Sequence, residues 1–412
     1  MKPHAAALSI CVLLSGCTSL VASLPEERLR FNEAIKIAAE EQMLLNIVRL
    51  RYTDTPSSLT VSSIAMQSEL QRGVGLIPFF GVAASVTDIR GLAGVVPGGQ
   101  VQSVDRPTVT LTPLDDQDFT RRLFTPMSPD GVLYLARTTW PIAIVFRLWV
   151  ENLNWVSNAQ SGSGPIPPQG TPDYLEFQRG IAALQVLQDR GHVFFTSEER
   201  EETVGGAIPA ARVSGGDLVA AVKEGMEYRR SADGRSFTLV KKRRVAVMRL
   251  NADARDSPEM REVFSIFRLR RGLAKFEIEQ EKNDPYLRPA DGYDSLDLET
   301  RSLLQVLYFV SKGVEVPAEH LRQGIAVSTL EPTGKPFDWS QVTRGLFRVA
   351  SSNAEKPPAT AHAAVKYQGH WFFIDKRDAD TMSTFSLLVE LARLELPGRS
   401  TGPVFTLPLG GR

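Results

Sequence analysis

Four residues late in the chain have the types and spacing to do chemistry: His370, followed by Asp375, Asp378 and Asp380. A histidine beside several carboxylates can hold a cation or work as an acid/base pair. The same aspartates also suit the start of a helix. There Asp accepts from free backbone N–H groups, and its charge complements the dipole. His370 itself lies in an apolar strand-like run, where a hydrogen-bonded structural histidine is the simpler role. The other histidines beyond the first few residues are His192, His320 and His362, and no two histidines are spaced as ligands on one helix. There is no His-Glu-x-x-His sequence. Gly162-Ser163-Gly164 is not a nucleophile elbow, and it lies in a proline-rich loop rather than a strand-to-helix turn. No phosphate-cradling or dinucleotide-binding glycine pattern occurs. The sequence therefore assigns no catalytic residue, no cofactor-binding residue and no metal ligand, and implies no cofactor.

A different chemistry is written at the N-terminus. Lys2 is followed by the apolar run Ala5 to Leu14 and then by Leu14-Ser15-Gly16-Cys17. A positive start, a short apolar core and small residues before a cut make a secretory signal. Ten apolar residues are too few to span a hydrocarbon core of about 30 Å as a helix. The Leu-Ser-Gly-Cys run resembles the lipobox of bacterial lipoproteins. That resemblance implies cleavage after residue 16, a diacylglycerol thioether on Cys17 and acylation of its new amine. Thr18, rather than Asp, follows the cysteine and leans towards the outer membrane. Several acyl chains on one residue anchor stably, where a single chain binds only marginally. The chain has two cysteines, Cys11 and Cys17. One would be discarded and the other lipidated, which excludes a disulfide, a cysteine nucleophile and a thiolate metal site.

Charge narrows the partners. Lys+Arg and Asp+Glu each number 47, and loss of Lys2 leaves 46 against 47. A near-neutral chain carries no global field for nucleic acid. The run Lys241-Lys242-Arg243-Arg244 stands between apolar strand-like residues and reads as a solvated strand or turn edge, with a phosphate-contacting patch as the alternative.

Around these residues the sequence predicts an α+β fold, a mixed or antiparallel sheet packed against helices, with a helix-rich N-terminal half. Residues 17–30 read as a lipidated tether. A helix follows from Asn32 to Arg51, with Met43 to Val48 buried. Ser58 to Leu70 and Thr108 to Thr112 read as strands, joined by an excursion over residues 73–104. The excursion holds seven glycines between Gly73 and Gly99, and its charges are Asp88 and Arg90. It reads as a loop packed on its domain or as a hairpin facing membrane or other copies. Pro78 and poor alternation weigh against the second form.

Helices are predicted over residues 115–124, 130–137, 141–156, 173–189, 216–223, 257–269 and 295–312, with a last one from Thr381 to Leu396. Hairpins are predicted around Ala232 to Arg235 and around Gln368-Gly369. Val404 to Leu407 could add a final strand to the C-terminal sheet. The Gly/Ser/Pro-rich stretch 159–172 separates residues 31–158 from a C-terminal α/β domain over 173–412, as a linker or a long loop.

The run Tyr367-x-Gly369-His370-Trp371-Phe372-Phe373-Ile374-Asp375, the closing Pro403-Val404-Phe405-Thr406-Leu407-Pro408, Arg106 to Pro113 and Asn46 to Arg49 together resemble a group of proteobacterial lipoproteins of unassigned function. The resemblance brings no catalytic residue with it. It implies a periplasm-facing protein held at the outer membrane through Cys17, acting as a non-catalytic binding or scaffold component with envelope protein partners. Two alternatives stay open: a subunit of an oligomeric secretion or export assembly, with residues 68–104 making membrane or ring contacts, and a periplasmic hydrolase built on His370 and the three aspartates.

Overall fold

A computed structural model of the chain describes residues 18–56, 59–80, 93–113, 121, 123–137, 140–167, 169–280, 283–284, 286–395 and 405–408. They form two compact units, one from residues 1–35, 57–120 and 396–412 and one from residues 36–56 and 121–395. Cys17 lies outside the described residues, and so does most of the helix expected over 115–124.

Helix α1 (Thr18–Arg51) begins earlier than expected. The presumed tether is its first turns, because Glu26 to Arg30 are good helix formers that run on without a stop signal. Leu44, Ile47, Val48 and Leu50 are fully buried, as the apolar second half of the helix implies. Strands β1 (Leu59–Phe80) and β2 (Ala93–Pro113) then pair antiparallel along their whole length, from Leu59↔Pro113 to Phe80↔Ala93. The excursion is thus mostly strand and not a loop. Pro78 and Pro97 fit because both stand where a strand has a free edge, the one place a missing N–H is tolerated.

The larger unit opens with α2 (Pro129–Arg137) and α3 (Ile142–Trp149), whose predicted continuation to Val156 gives way to strands β3 (Val150–Leu153) and β4 (Val156–Ser157). Asn154 and Trp155 both take positive φ, 46° and 64°, the geometry of a two-residue hairpin turn. Asn154 is fixed there: its Nδ2 donates to the carbonyls of Phe267 and Ser295, and its Oδ1 accepts from Asp297 N at 2.8 Å. Over so short an apolar run the helical and extended patterns cannot be told apart.

Next come α4 (Leu175–Asp189), β5 (Val193–Pro209), α5 (Gly215–Lys223), β6 (Met226–Arg230), β7 (Ser236–Leu250), α6 (Pro258–Ile266), β8 (Lys275–Glu279) and β9 (Ser295–Thr300). Gly180 lets α4 approach α6, since a Cβ there would sit 2.5 Å from the Phe267 ring. The single helix predicted over 295–312 is in fact β9 followed by α7 (Leu303–Ser311). Ser-Leu-Asp-Leu-Glu-Thr alternates with period two, and the Ser302–Gln305 capping box starts the helix afresh. Then follow α8 (Ala318–Arg322), α9 (Ser340–Thr343), β10 (Ala350–Ser352), β11 (Ala361–Tyr367), β12 (His370–Asp375) and α10 (Ala379–Glu395). A last strand, β13 (Phe405–Pro408), pairs with β2 rather than with the C-terminal sheet.

The fold is α+β. The large sheet runs β4-β3-β9-β8-β7-β5 with β6 also on β7, and β8–β9 is its parallel pair. A smaller antiparallel sheet runs β10-β12-β11, and the hairpin with β13 makes the sheet β1-β2-β13. Residues 159–172 are a loop inside the larger unit: β3 before them pairs with β9 well after them, and Ala159 N donates to Asp173 O.

Candidate functional site

The residues singled out by sequence do not gather into one constellation. Asp375 makes a two-pronged ion pair with Arg377, at 2.6 Å between Nη2 and Oδ2, and accepts from Thr360. That pairing holds its carboxyl well below the usual carboxylate range. Asp378 accepts from the Thr381 backbone N at 3.1 Å and from its hydroxyl at 2.8 Å, which makes it a cap for α10. Asp380 lies in the first turn of that helix.

His370 keeps other company. Its ring packs edge-on against His320 with centroids 4.6 Å apart. The Tyr52 hydroxyl meets His320 Nδ1 at 2.6 Å, and His320 Nε2 meets the Gln368 carbonyl at 3.1 Å. Tyr367 donates to Asp54 at 3.0 Å beside them. The pair His320–His370 is far apart in sequence, so no motif scan could find it. It ties the end of α1 and α8 to the β11–β12 turn. No group of three or more His, Cys, Asp or Glu among the described residues could hold a metal ion.

Ser163, in the Gly-Ser-Gly triplet, is buried and accepts from Arg301 Nε at 2.8 Å. Arg301 is fully buried between β9 and α7. It also donates to the carbonyls of Arg147, Leu148, Val150 and Asn158, and its guanidinium lies 4.1 Å from the Phe309 ring centroid. Such a web of donors to neutral carbonyls is a structural clamp, and it is what seats the 159–172 loop.

A cleft of about 750 Å³ opens nearby in the same unit. Arg51, at the end of α1, and Lys312, just after α7, line it together with Val314, Phe337, Trp339 and Thr343. Lys312 is 3% exposed and Arg51 is 7% exposed. Lys312 Nζ donates to the Gly164 carbonyl at 2.6 Å and sits 5.7 Å from the Trp339 ring and 5.8 Å from the Tyr308 ring. Arg51 Nη1 donates to the Val327 carbonyl at 3.0 Å, while its buried Nε has no hydrogen-bond partner. Burial, and secondarily the Arg51 charge, lower the Lys312 ammonium from its ordinary range to about 7. Burial likewise lowers Arg51 to about 10, still charged at neutral pH.

The acidic residues on the cleft wall have partners on that same wall: Glu315 pairs with Arg348 at 3.4 Å, Asp338 accepts from Ser340 N, and Asp378 accepts from Thr381 as it caps α10. Gly313 is obligatory at the rim, because a Cβ would run into the Phe347 carbonyl. Sequence reasoning passed over this site because a lysine before a glycine at a helix end reads as an ordinary C-terminal basic residue.

In the smaller unit, the register sorts the hairpin into two faces. Val61, Ile64, Met66, Leu70, Val74, Leu76 and Phe80 share one face with Leu111, Val109, Val101 and Val95, and Ser68, Arg72, Ser103 and Asp105 fall on it in the middle of the ribbon. Ser63, Gln67, Glu69, Gln71 and Gly73 share the other with Thr110, Arg106, Gln102 and Gln100, and Ile77, Phe79, Val96 and Val104 fall on this face too. A register shift between Val61 and Ser63 moves the alternation by one residue, which hides it from a linear reading. No helix among the described residues is long and apolar enough to cross a membrane. No family model matches this chain, and neither any curated protein nor any solved structure does.

Proposed function

We propose that this chain is a lipid-anchored envelope protein that works as a subunit of a homo-oligomeric assembly at the outer membrane, its β1–β2 hairpin pairing edge to edge with neighbouring copies. The hairpin register carries the reading. Eight successive pairs, from Gly73↔Gln100 to Phe80↔Ala93, contain no charged residue. At about 3.3 Å per residue they run roughly 26 Å along the strand, somewhat fewer residues than the about 9–11 that a tilted barrel strand uses to cross a hydrocarbon core of about 30 Å. One face of these pairs, with Val74, Leu76, Phe80 and Val95, is aliphatic and aromatic, while the other carries Gly73, Gly75, Gly94, Gly98 and Gln100 together with Ile77, Phe79 and Val96. The two faces thus differ most at the base of the segment, as in a strand that passes from an aqueous interior into lipid contact.

The edges support self-pairing. Among the described residues β1 has a neighbour on one side, and the β2 segment 93–107 has none beyond β1. An open row of backbone donors and acceptors is best satisfied by another strand, and closure into a ring removes every free edge. The Leu14 to Cys17 run supports an anchor that would hold each copy at the membrane. In this reading the assembly serves export or secretion, and the scaffold role expected from sequence is the assembly itself. The hydrolase alternative loses its footing, since Asp375 and Asp378 are taken up by Arg377 and by the α10 cap.

The test is the mass of the intact lipidated protein in mild detergent, measured by light scattering with detergent correction. A ring-sized homo-oligomer that falls to monomer on deletion of residues 73–99 is expected. A monomer with and without the deletion sinks the assembly and leaves an anchored binding protein.

A further inference from the structure

We infer that the cleft around Lys312 and Arg51 is a binding site for an oxyanion, a carboxylate or phosphate group carried on an apolar or aromatic body. Two basic side chains at 3% and 7% exposure line the same cleft, the Arg51 charge acts on the Lys312 ammonium, and among the described residues neither has a carboxylate partner. Removing a charge from water is costly unless an opposite charge or several hydrogen bonds replace the lost hydration. The protein supplies one carbonyl to each, from Gly164 and from Val327. The ammonium has three donors and the guanidinium five. Most of this capacity is unspent, and both side chains line an open cleft of about 750 Å³.

An oxyanion placed there would meet a point-charge donor and a planar fork together, the pairing that suits carboxylate and phosphate oxygens. The rest of the wall indicates what the anion is attached to. Phe337 and Trp339 pack edge to face at 5.4 Å, and Val314, Leu346 and Phe347 continue the apolar surface. Trp339 is held in place by donating Nε1–H to Thr329 at 3.0 Å, so the aromatic wall is formed before any ligand arrives. A concave site that joins an aromatic wall to convergent polar and charged groups takes a small molecule rather than a surface.

The test uses the full chain and four probes: phenylacetate, phenyl phosphate, inorganic phosphate and 2-phenylethanol, each titrated by calorimetry and followed by thermal melting. Phenylacetate, phenyl phosphate or both should bind at least tenfold more tightly than 2-phenylethanol and should raise the melting temperature. Inorganic phosphate alone should bind more weakly than phenyl phosphate if the aromatic wall contributes. Lys312→Met and Arg51→Met should each weaken anion binding tenfold or more. Equal binding of the neutral alcohol, no binding of either aromatic anion, or unaltered anion binding by a folded Lys312→Met would overturn the assignment. The melting shift of the unsubstituted protein decides the matter if a variant does not fold.

Discussion

The β5–β7 hairpin and the β1–β2 hairpin are both long antiparallel ribbons, yet they handle charge in opposite ways. Beyond its buried root at Val193, Phe195 and Val245 to Met248, the middle of the β5–β7 arm is charged on both strands, while its far end, Thr203 to Pro209 against Ser236 to Val240, is uncharged and has β6 alongside β7. Glu199 faces Arg244, Glu201 faces Lys242 and Glu202 faces Lys241 across the ladder. Arg200, which faces Arg243, is paired instead with Glu277. Glu198 collects Arg249 and Lys275. The Lys241 to Arg244 run is exposed and belongs to this ladder: it is solvated, as expected, but lies on the inner strand β7 rather than at a strand or turn edge. The distal β1–β2 pairs have no charge to balance at all. A ribbon that pairs its own charges is complete in water. The uncharged, edge-open end of the first hairpin has no such internal balance, and in the assembly proposed above lipid and other copies of the same ribbon supply it.

The largest effect that breaks this contrast is a charge on the apolar face of the first hairpin. Val74→Asp should reduce the light-scattering mass from oligomer to monomer. Basic charges on the lipid face of barrel strands cost roughly 2–4 kcal/mol each at the midplane, acidic ones and those near the interface less, and a ring multiplies the cost by its number of copies. Gln100→Glu, one pair away on the opposite face, should keep the assembled mass. If both variants assemble alike, the two faces do not differ in environment and the hairpin is not lipid-facing.

A third way of treating charge sits in the Lys312 cleft, neither paired as in the arm nor excluded as in the hairpin. Because the folded ammonium is lowered to about 7 from an ordinary 10.5, the unfolded chain holds this proton at pH values where the folded one has released it. Stability should therefore rise with pH between about 7 and 10.5, and the penalty should be complete and constant below that window. The slope from this group approaches roughly 1.4 kcal/mol per pH unit in mid-window. The groups around it are Arg51, its charged neighbour, and Glu315, Asp338, Arg344, Arg348 and Asp378 on the cleft wall. Denaturant melts of the unsubstituted chain and Lys312→Met across that range should differ by this slope. Parallel pH profiles would mean the ammonium is not desolvated.

Much of the fold was legible because its signals are local. The helices over 216–223 and 257–269, the Asp-Gly turn before β7 and the Gln368-Gly369 turn announce themselves in consecutive residues. What could not be read depends on distant partners. Val150 to Leu153 became strand because β9 lies 150 residues away to receive it, and the alternation of β1 needed the β2 register to locate its bulge. The cleft was illegible for the same reason. Arg51, Lys312 and Trp339 end or begin separate helices, and nothing near them in sequence says that folding buries two of their charges together.

The smallest expected effect tests the claim that the charged arm is complete by itself. Glu201 pairs with Arg229 of β6, their side chains 34% and 59% exposed. Exposed pairs of this kind contribute about 0.2–1 kcal/mol, and salt screens them, the Debye length falling to about 3 Å at 1 M. Glu201→Gln should therefore lower the melting temperature by no more than a few degrees at low salt and by nothing measurable at 1 M salt. It should also leave the assembled mass unchanged. A loss that persists at high salt would mean the pair is shielded from solvent by a partner resting on the arm. The arm would then share with the first hairpin the need for a second surface, and the contrast between the two ribbons would be one of partner chemistry rather than of self-sufficiency.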